Sequence, residues 1–323
     1  MDSYLRTRKE RTMKAIRVHG RGGPDHLSYD DAPKPQPGPG EVLVRVGATA
    51  IIATELTWDE TYQTAAGDPR PQPPIPGHDL AGVVAEVGPG VSDLAIGNEV
   101  YALTAFDRDG AEAEYAIALP SELAPKPRKL DMAQAAAVPL SALTAWQALF
   151  AHANLSKGQT ALIHGGAGGV GSYAVQLAHW AGARVITTAS TRHHDFLRGL
   201  GADQVIDYTT TPFEDVVHDA DVVFDTVGGE SLERSWRVVK DGGVVVSVVS
   251  PRPVDDPTRT RARFVWFIVE PSGEQLREIG TLIDAGQIQP IISQVFPLAE
   301  AREAWKAASS GHAQGKIVLR VEG

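Results

Sequence analysis

Residues 160–185 read TALIHGGAGGVGSYAVQLAHWAGARV, and they hold the most chemically specific spacing in the chain. The apolar pair Leu162 and Ile163 runs into Gly165, Gly166, Ala167, Gly168, Gly169, Val170 and Gly171. Gly166, Gly168 and Gly171 satisfy G-x-G-x-x-G, and Gly165, Gly168 and Gly171 recur at every third residue. The apolar positions Val170, Ala174, Leu177, Ala178 and Ala181 then repeat three or four apart, which predicts a helix. A strand, a glycine turn and a helix in that order form a pyrophosphate site. One glycine permits the tight turn, the next lets backbone approach the phosphates, and the third lets helix and strand pack closely. The helix N-terminus contributes free N–H groups and the positive end of its dipole. No Lys-Ser or Lys-Thr pair follows the glycines, which excludes a Walker A loop and leaves a dinucleotide as the ligand.

The end of the following strand decides which dinucleotide. An acidic side chain about 20 residues on would bind the ribose 2′-hydroxyl of NAD and repel a 2′-phosphate. No Asp or Glu occurs from Ser172 to His194, and the strand runs out through Ser190, Thr191, Arg192 and His193. Hydroxyls and a guanidinium suit a phosphate, so the expected cofactor is NADP(H).

Around this turn the chain changes character. Fourteen of the 22 prolines fall in the first 130 residues, which forbids long helices there. Val-rich runs at Glu41 to Val46, Gly82 to Val87 and Glu99 to Leu103 predict short strands. Beyond Pro127, helical patterns at 131–138, 141–152 and 170–182 precede or alternate with β-branched runs. Those runs are Thr160 to His164, Arg184 to Thr188, Gln204 to Asp207, Asp221 to Asp225 and Val244 to Val249. That alternation predicts right-handed βαβ units on a parallel sheet. From residue 263 the text reads as a strand (FVWFIV), then a helix over Glu274 to Ala285 and a final strand, KIVLRV.

With 323 residues, 43% hydrophobic and 22% charged, the chain suits about two globular domains. A formal charge of −10 opposes binding to nucleic acid or an anionic membrane and favours a small-molecule partner. Residues 1–12, MDSYLRTRKERT, lack the apolar core of a secretory signal and read as a disordered extension, so the expected location is cytoplasmic. Cys is absent, which removes disulfides, thiol nucleophiles, thiolate zinc sites and iron–sulfur clusters. No G-x-S-x-G elbow accompanies the abundant Ser, His and Asp residues.

The ordered motifs PGPGEVLVRV, IPGHDLAGVVAEVG, VPLSALTAWQAL, HGGAGGVGSYAVQLA, LGADQVIDY, FDTVGG and GKIVLRV resemble the medium-chain dehydrogenase/reductase superfamily, in its zinc-independent quinone oxidoreductase branch. The resemblance runs from about Met13 to the C-terminus. It implies an α/β protein with a GroES-like β-barrel catalytic domain built from 13–127 and 263–323. A doubly wound Rossmann domain, 128–262, would be inserted between them, and the assembly would be a homodimer. It implies cofactor contacts from Thr144, Gly168, Gly169, Val170 and Tyr208, with Ser190, Arg192 and His193 in the 2′-phosphate region. Zinc-dependent relatives place a Cys ligand at the position of Ile52 and a His at His78, so no metal is expected here. The Asn-Pro pair and Asp of the quinone reductases fall where this chain has Ile52, Ala53, Thr54 and Glu55.

Hydride transfer from a nicotinamide requires placement more than protein acid–base chemistry. A quinone product takes protons from solvent, whereas an enone needs a proton at its α-carbon, which a positioned Tyr or His supplies. The candidates are Tyr62 and His78, with Ile52, Thr54, Glu55 and Trp58 lining the substrate cleft. The expected activity is NADPH-dependent reduction of quinones or α,β-unsaturated carbonyls. The alternative is an NADPH-binding sensor or structural protein with little turnover.

Overall fold

A computed structural model describes residues 12–64, 66–70, 73–251, 261–311 and 313–321. Except for Thr12, the expected N-terminal extension lies outside these residues. The chain divides into two compact units: Met1–Leu140 with Pro271–Asp284 and Pro290–Gly323, and Ser141–Glu270 with Ala285–Gln289.

The unit of the chain ends begins with strands β1 (Thr12–Val18), β2 (Leu27–Pro33), β3 (Val42–Ala50), β4 (Asp79–Val87), β5 (Glu99–Leu103), β6 (Tyr115–Ala118) and β7 (Leu123–Pro125). Helix α1 (Met132–Ala136) follows, started by a reciprocal cap between Asp131 and Gln134. Helix α2 (Pro139–Trp146) leads into the second unit.

That second unit contains β8 (Thr160–His164), α3 (Gly169–Trp180), β9 (Arg184–Ala189), α4 (His194–Gly199), β10 (Gln204–Asp207), β11 (Ala220–Asp225), α5 (Glu230–Ser235), β12 (Val239–Ser247) and β13 (Arg263–Trp266). The chain then returns to the first unit with α6 (Gly273–Asp284), β14 (Ile292–Pro297), α7 (Ala301–Ser309) and β15 (Lys316–Arg320).

In the first unit the strands pair in the order β14-β15-β3-β4-β5-β7, with β6 also on β3 and β1–β2 as a separate hairpin. β3 and β4 approach closely because Gly82 has no side chain: a Cβ there would lie 2.2 Å from the Arg45 carbonyl oxygen. Val42, Val44, Leu80, Val100, Leu123 and Leu319 bury one core, which Trp305 of α7 closes.

The second unit is a six-stranded parallel sheet ordered β10-β9-β8-β11-β12-β13, the doubly wound order that reverses between β8 and β11. Leu162, Ile163, Val223, Phe224, Val245 and Val246 are fully buried, as expected of strands covered on both faces. Three expectations shift. β12 starts at Val239 rather than Val244, with a register shift opposite Ala220 and Val222. The helix expected over 141–152 ends at Trp146 and widens into a π-turn over Gln147–His152, where the Ala153 N–H reaches the Ala148 carbonyl. The run after residue 263, expected with the C-terminal part, gives β13, which hydrogen-bonds to β12 in the parallel sheet.

Candidate active site

β8 delivers the glycine turn to the carboxyl edge of the sheet, beside the point where strand order reverses. Gly165 has φ +75°, so it makes the left-handed turn. A Cβ on Gly166 would meet the Thr187 hydroxyl at 2.1 Å, and one on Gly171 would meet the Gly165 carbonyl oxygen at 2.2 Å. Both are close packings against the protein itself. Gly168 differs: its nearest neighbour would be the Gly165 carbonyl at 3.4 Å. It caps α3 with no side-chain hydrogen bond, ahead of Gly169 and Val170 in the first turn. Open backbone at an uncapped helix start fits a pyrophosphate.

His164 fixes this turn from below. It is fully buried, and burial lowers its pKa to about 4, so the ring is neutral at physiological pH. Ser235 donates its hydroxyl proton to the Ser231 carbonyl, so its oxygen accepts from His164 Nε2–H at 3.1 Å. The Nδ1 lone pair then accepts from the Thr188 hydroxyl at 3.2 Å, and that oxygen accepts the Gly165 N–H at 3.3 Å. One neutral tautomer thus connects α5, β9 and the first glycine. Thr144, on α2, is buried in the same unit.

At the end of β9, Ser190 begins a short turn through Thr191, Arg192 and His193. Arg192 Nε lies 3.0 Å from the His193 ring nitrogen. The neighbouring strand β10 brings in a residue that the sequence reading passed over. Asp207 pairs in register with Ala189, and its carboxylate accepts the Thr191 N–H at 3.2 Å and the Thr191 hydroxyl on one oxygen. Its other oxygen accepts the Thr209 N–H at 2.9 Å and the Thr209 hydroxyl at 2.7 Å. These donors hold its pKa down at about 2. Tyr208, between the two partners of this turn, is 63% exposed.

The first unit holds the other candidates. Glu55 and His78, 23 positions apart in the chain, lie with Oε1 and Nε2 3.4 Å apart. Both are buried, which raises Glu55 to about 8 and lowers His78 to about 3, so at neutral pH the pair is uncharged. Glu55 Oε1 also accepts the Gly77 N–H at 2.8 Å, while Oε2 has no hydrogen-bond partner among the described residues. His78 Nδ1 lies 3.3 Å from the Thr104 hydroxyl, and its ring meets Phe106 edge-on, as does Trp58. Asp79 is buried against the Lys316 ammonium at 3.0 Å and accepts the Leu140 N–H. Tyr62 donates its hydroxyl proton to the Leu56 carbonyl at 2.9 Å and stacks beneath the Arg21 guanidinium. Ile52 is buried, Thr54 exposed and Trp58 half-buried. Glu55, expected along a cleft wall, is fully enclosed.

Residues 38–128 match the alcohol dehydrogenase GroES-like domain, and residues 200–319 match the zinc-binding dehydrogenase domain. An NADPH-dependent alkenal/one oxidoreductase of Arabidopsis thaliana is 36% identical over 318 residues, covering 95% of this chain and 79% of that protein. A probable zinc-binding oxidoreductase of Arthroderma benhamiae is 38% identical over 314 residues, covering 91% of this chain and 93% of that one. The structure of the quinone oxidoreductase from Coxiella burnetii superposes with a TM-score of 0.89 at 34% identity, over 96% of this chain and all of the other. The chain belongs to the medium-chain dehydrogenase/reductase superfamily.

As a member of that superfamily it is an oxidoreductase with a nicotinamide cofactor, and the glycine turn fits such a group. The superfamily includes zinc enzymes, so the donor set at the corresponding position matters. His78 already has Glu55 and Thr104 at its two ring nitrogens, and Ile52 offers no donor. Among the described residues no group of three or more His, Cys, Asp or Glu is arranged to hold a metal ion. Among them, too, no helix is long and apolar enough to cross a membrane.

Proposed function

We propose that the protein reduces quinones or α,β-unsaturated carbonyl compounds with NADPH and without zinc. The observation that carries this reading is His78: the one histidine of the motif is enclosed as a neutral ring between Glu55 and Thr104, beside an aliphatic Ile52. Lewis-acid chemistry through that histidine would require freeing one of its ring nitrogens from Glu55 or Thr104. The nicotinamide, when bound, supplies the hydride. The chain's own residues bind and orient it: Gly168, Gly169 and Val170 face the pyrophosphate, and Ser190, Arg192, His193 and Tyr208 take the adenosine end. In this reading Thr144 contacts the nicotinamide side and Tyr62 delivers a proton where the acceptor needs one, while His78, enclosed as a neutral ring between Glu55 and Thr104, does not act as the acid.

The same reading makes the unit of the chain ends the catalytic domain and the Ser141–Glu270 unit the cofactor domain. It also makes the protein a homodimer, supported by β13 at the sheet edge with Trp266 and Ile268 exposed. The deciding experiment follows NADPH absorbance with a panel of quinones, enals and enones, alongside direct NADPH binding. Oxidation with at least one acceptor class and weaker use of NADH is expected. Tight binding with no oxidation by any acceptor would overturn the reading.

A further inference from the structure

The acid that reads a ribose 2′-hydroxyl ordinarily sits at the end of the second strand of a doubly wound sheet. Here that strand, β9, ends without one, yet a carboxylate arrives at the same sheet edge from β10. An unshielded Asp207 there would repel a 2′-phosphate, in conflict with the proposed NADPH preference. Its hydrogen bonds resolve the conflict. The Thr191 N–H and hydroxyl take one carboxylate oxygen, and the Thr209 N–H and hydroxyl take the other. A carboxylate with two donors on each oxygen has its charge compensated locally and is engaged within the protein.

Those bonds also have a geometric result. Thr191 immediately precedes Arg192, and Thr209 immediately follows Tyr208. By holding both threonines, Asp207 fixes the path of two segments that come from different strands. The Thr191–His193 turn is then set with Arg192 alongside His193. On the other segment Tyr208 is left standing 63% exposed.

From this juxtaposition we infer that Asp207 is a specificity-determining positioning residue, which selects the 2′-phosphate by holding Arg192 and Tyr208 in place rather than by touching the ribose. The inference rests on the NADPH reading above and gives that reading a residue outside the glycine turn. It reverses the ordinary role of an acid at this edge: removing Asp207 weakens 2′-phosphate binding, where removing a ribose-reading acid would strengthen it.

The test measures binding of 2′,5′-ADP and of 5′-AMP by titration calorimetry to wild type, Asp207→Ala and Thr191→Val. These two ligands differ by the 2′-phosphate. In wild type, 2′,5′-ADP is expected to bind more tightly. In Asp207→Ala its dissociation constant rises by about tenfold or more, the loss of one well-placed charged contact, while that of 5′-AMP stays within about threefold. Thr191→Val keeps the carboxylate, removes one of its donors and shifts the 2′,5′-ADP constant in the same direction by a smaller factor. Melting curves for each variant show that the sheet is intact. Tighter 2′,5′-ADP binding in Asp207→Ala would overturn the inference and make Asp207 a repelling acid. Equal losses for both ligands would reduce it to a folding role, and no change in either would remove it. If wild type binds the two ligands equally, the NADPH reading itself fails and takes the inference with it. A wild-type preference that survives in Asp207→Ala sinks only the inference.

Discussion

Burial sets the protonation of the Glu55–His78 pair, and this gives it a measurable pH signature. Glu55 titrates near 8 in the folded protein against 4.5 as a free side chain. Between those values only the unfolded chain releases this proton, so Glu55 makes stability fall as pH rises from 4.5 towards 8 and contributes no slope above that. His78 acts in the opposite direction at lower pH: depressed from 6.5 to about 3, it makes stability fall as pH drops through that window. Glu55→Gln keeps an oxygen for the Gly77 N–H and removes the titration. Its stability relative to wild type should therefore climb between pH 5 and 8, by up to roughly 1.4 kcal/mol per pH unit, in urea unfolding. A constant offset across that range would mean that Glu55 is ionised in the fold. Tyr62 provides the second residue-scale test. Its hydroxyl is held by the Leu56 carbonyl, so Tyr62→Phe is expected to cost about 1 kcal/mol of stability. If Tyr62 also delivers the enone proton, kcat with an enone drops about tenfold or more while quinone reduction is spared. Equal effects on the two acceptors would count against that role.

Legibility divides at the scale of elements according to sequence distance. The β8–α3 turn was readable because its constraint is local: a left-handed residue, a close crossing and a tight helix packing must occur within seven positions, and only glycine meets them. The structure reassigns the roles, giving the turn to Gly165 and close packing to Gly166 and Gly171. Contacts across strands left no such trace. Asp207 meets Thr191 because β10 pairs with β9, and Trp305 donates to Glu112 across a separation of 193 residues. β13 was legible as a strand, but its place in the parallel sheet follows from pairing with β12, which no periodicity encodes. The different glycine roles predict different losses. Gly171→Ala forces a methyl against the Gly165 carbonyl, so it should lower the melting temperature and weaken both nicotinamide cofactors together. Gly168→Ala meets the protein only at 3.4 Å, so stability should be preserved while cofactor binding falls. Unchanged binding in Gly168→Ala would place the pyrophosphate elsewhere.

Over the whole molecule, the missing cysteine has two consequences. No thiolate exists anywhere in the 323 residues to hold a metal or to form a disulfide, so neither metal exchange nor thiol oxidation has a cysteine through which to act. Histidine and carboxylate ligands remain as a route to zinc, and among the described residues Glu55, His78, Asp79 and Glu112 are buried in the unit of the chain ends. Each of these side chains already has a protein partner: Glu55 and His78 face each other, Asp79 lies against Lys316, and Glu112 accepts from the Trp305 indole. Binding a metal there would mean removing a proton from a carboxyl that burial keeps neutral and displacing a buried ammonium. Incubation with a strong chelator, and separately with a thiol-alkylating reagent, is therefore expected to leave NADPH-dependent activity within about twofold of the untreated protein, and elemental analysis should find zinc well below one per chain. Stoichiometric zinc, or activity lost to the chelator and restored by zinc, would show that the cluster opens to take a metal and that the zinc-free mechanism is wrong.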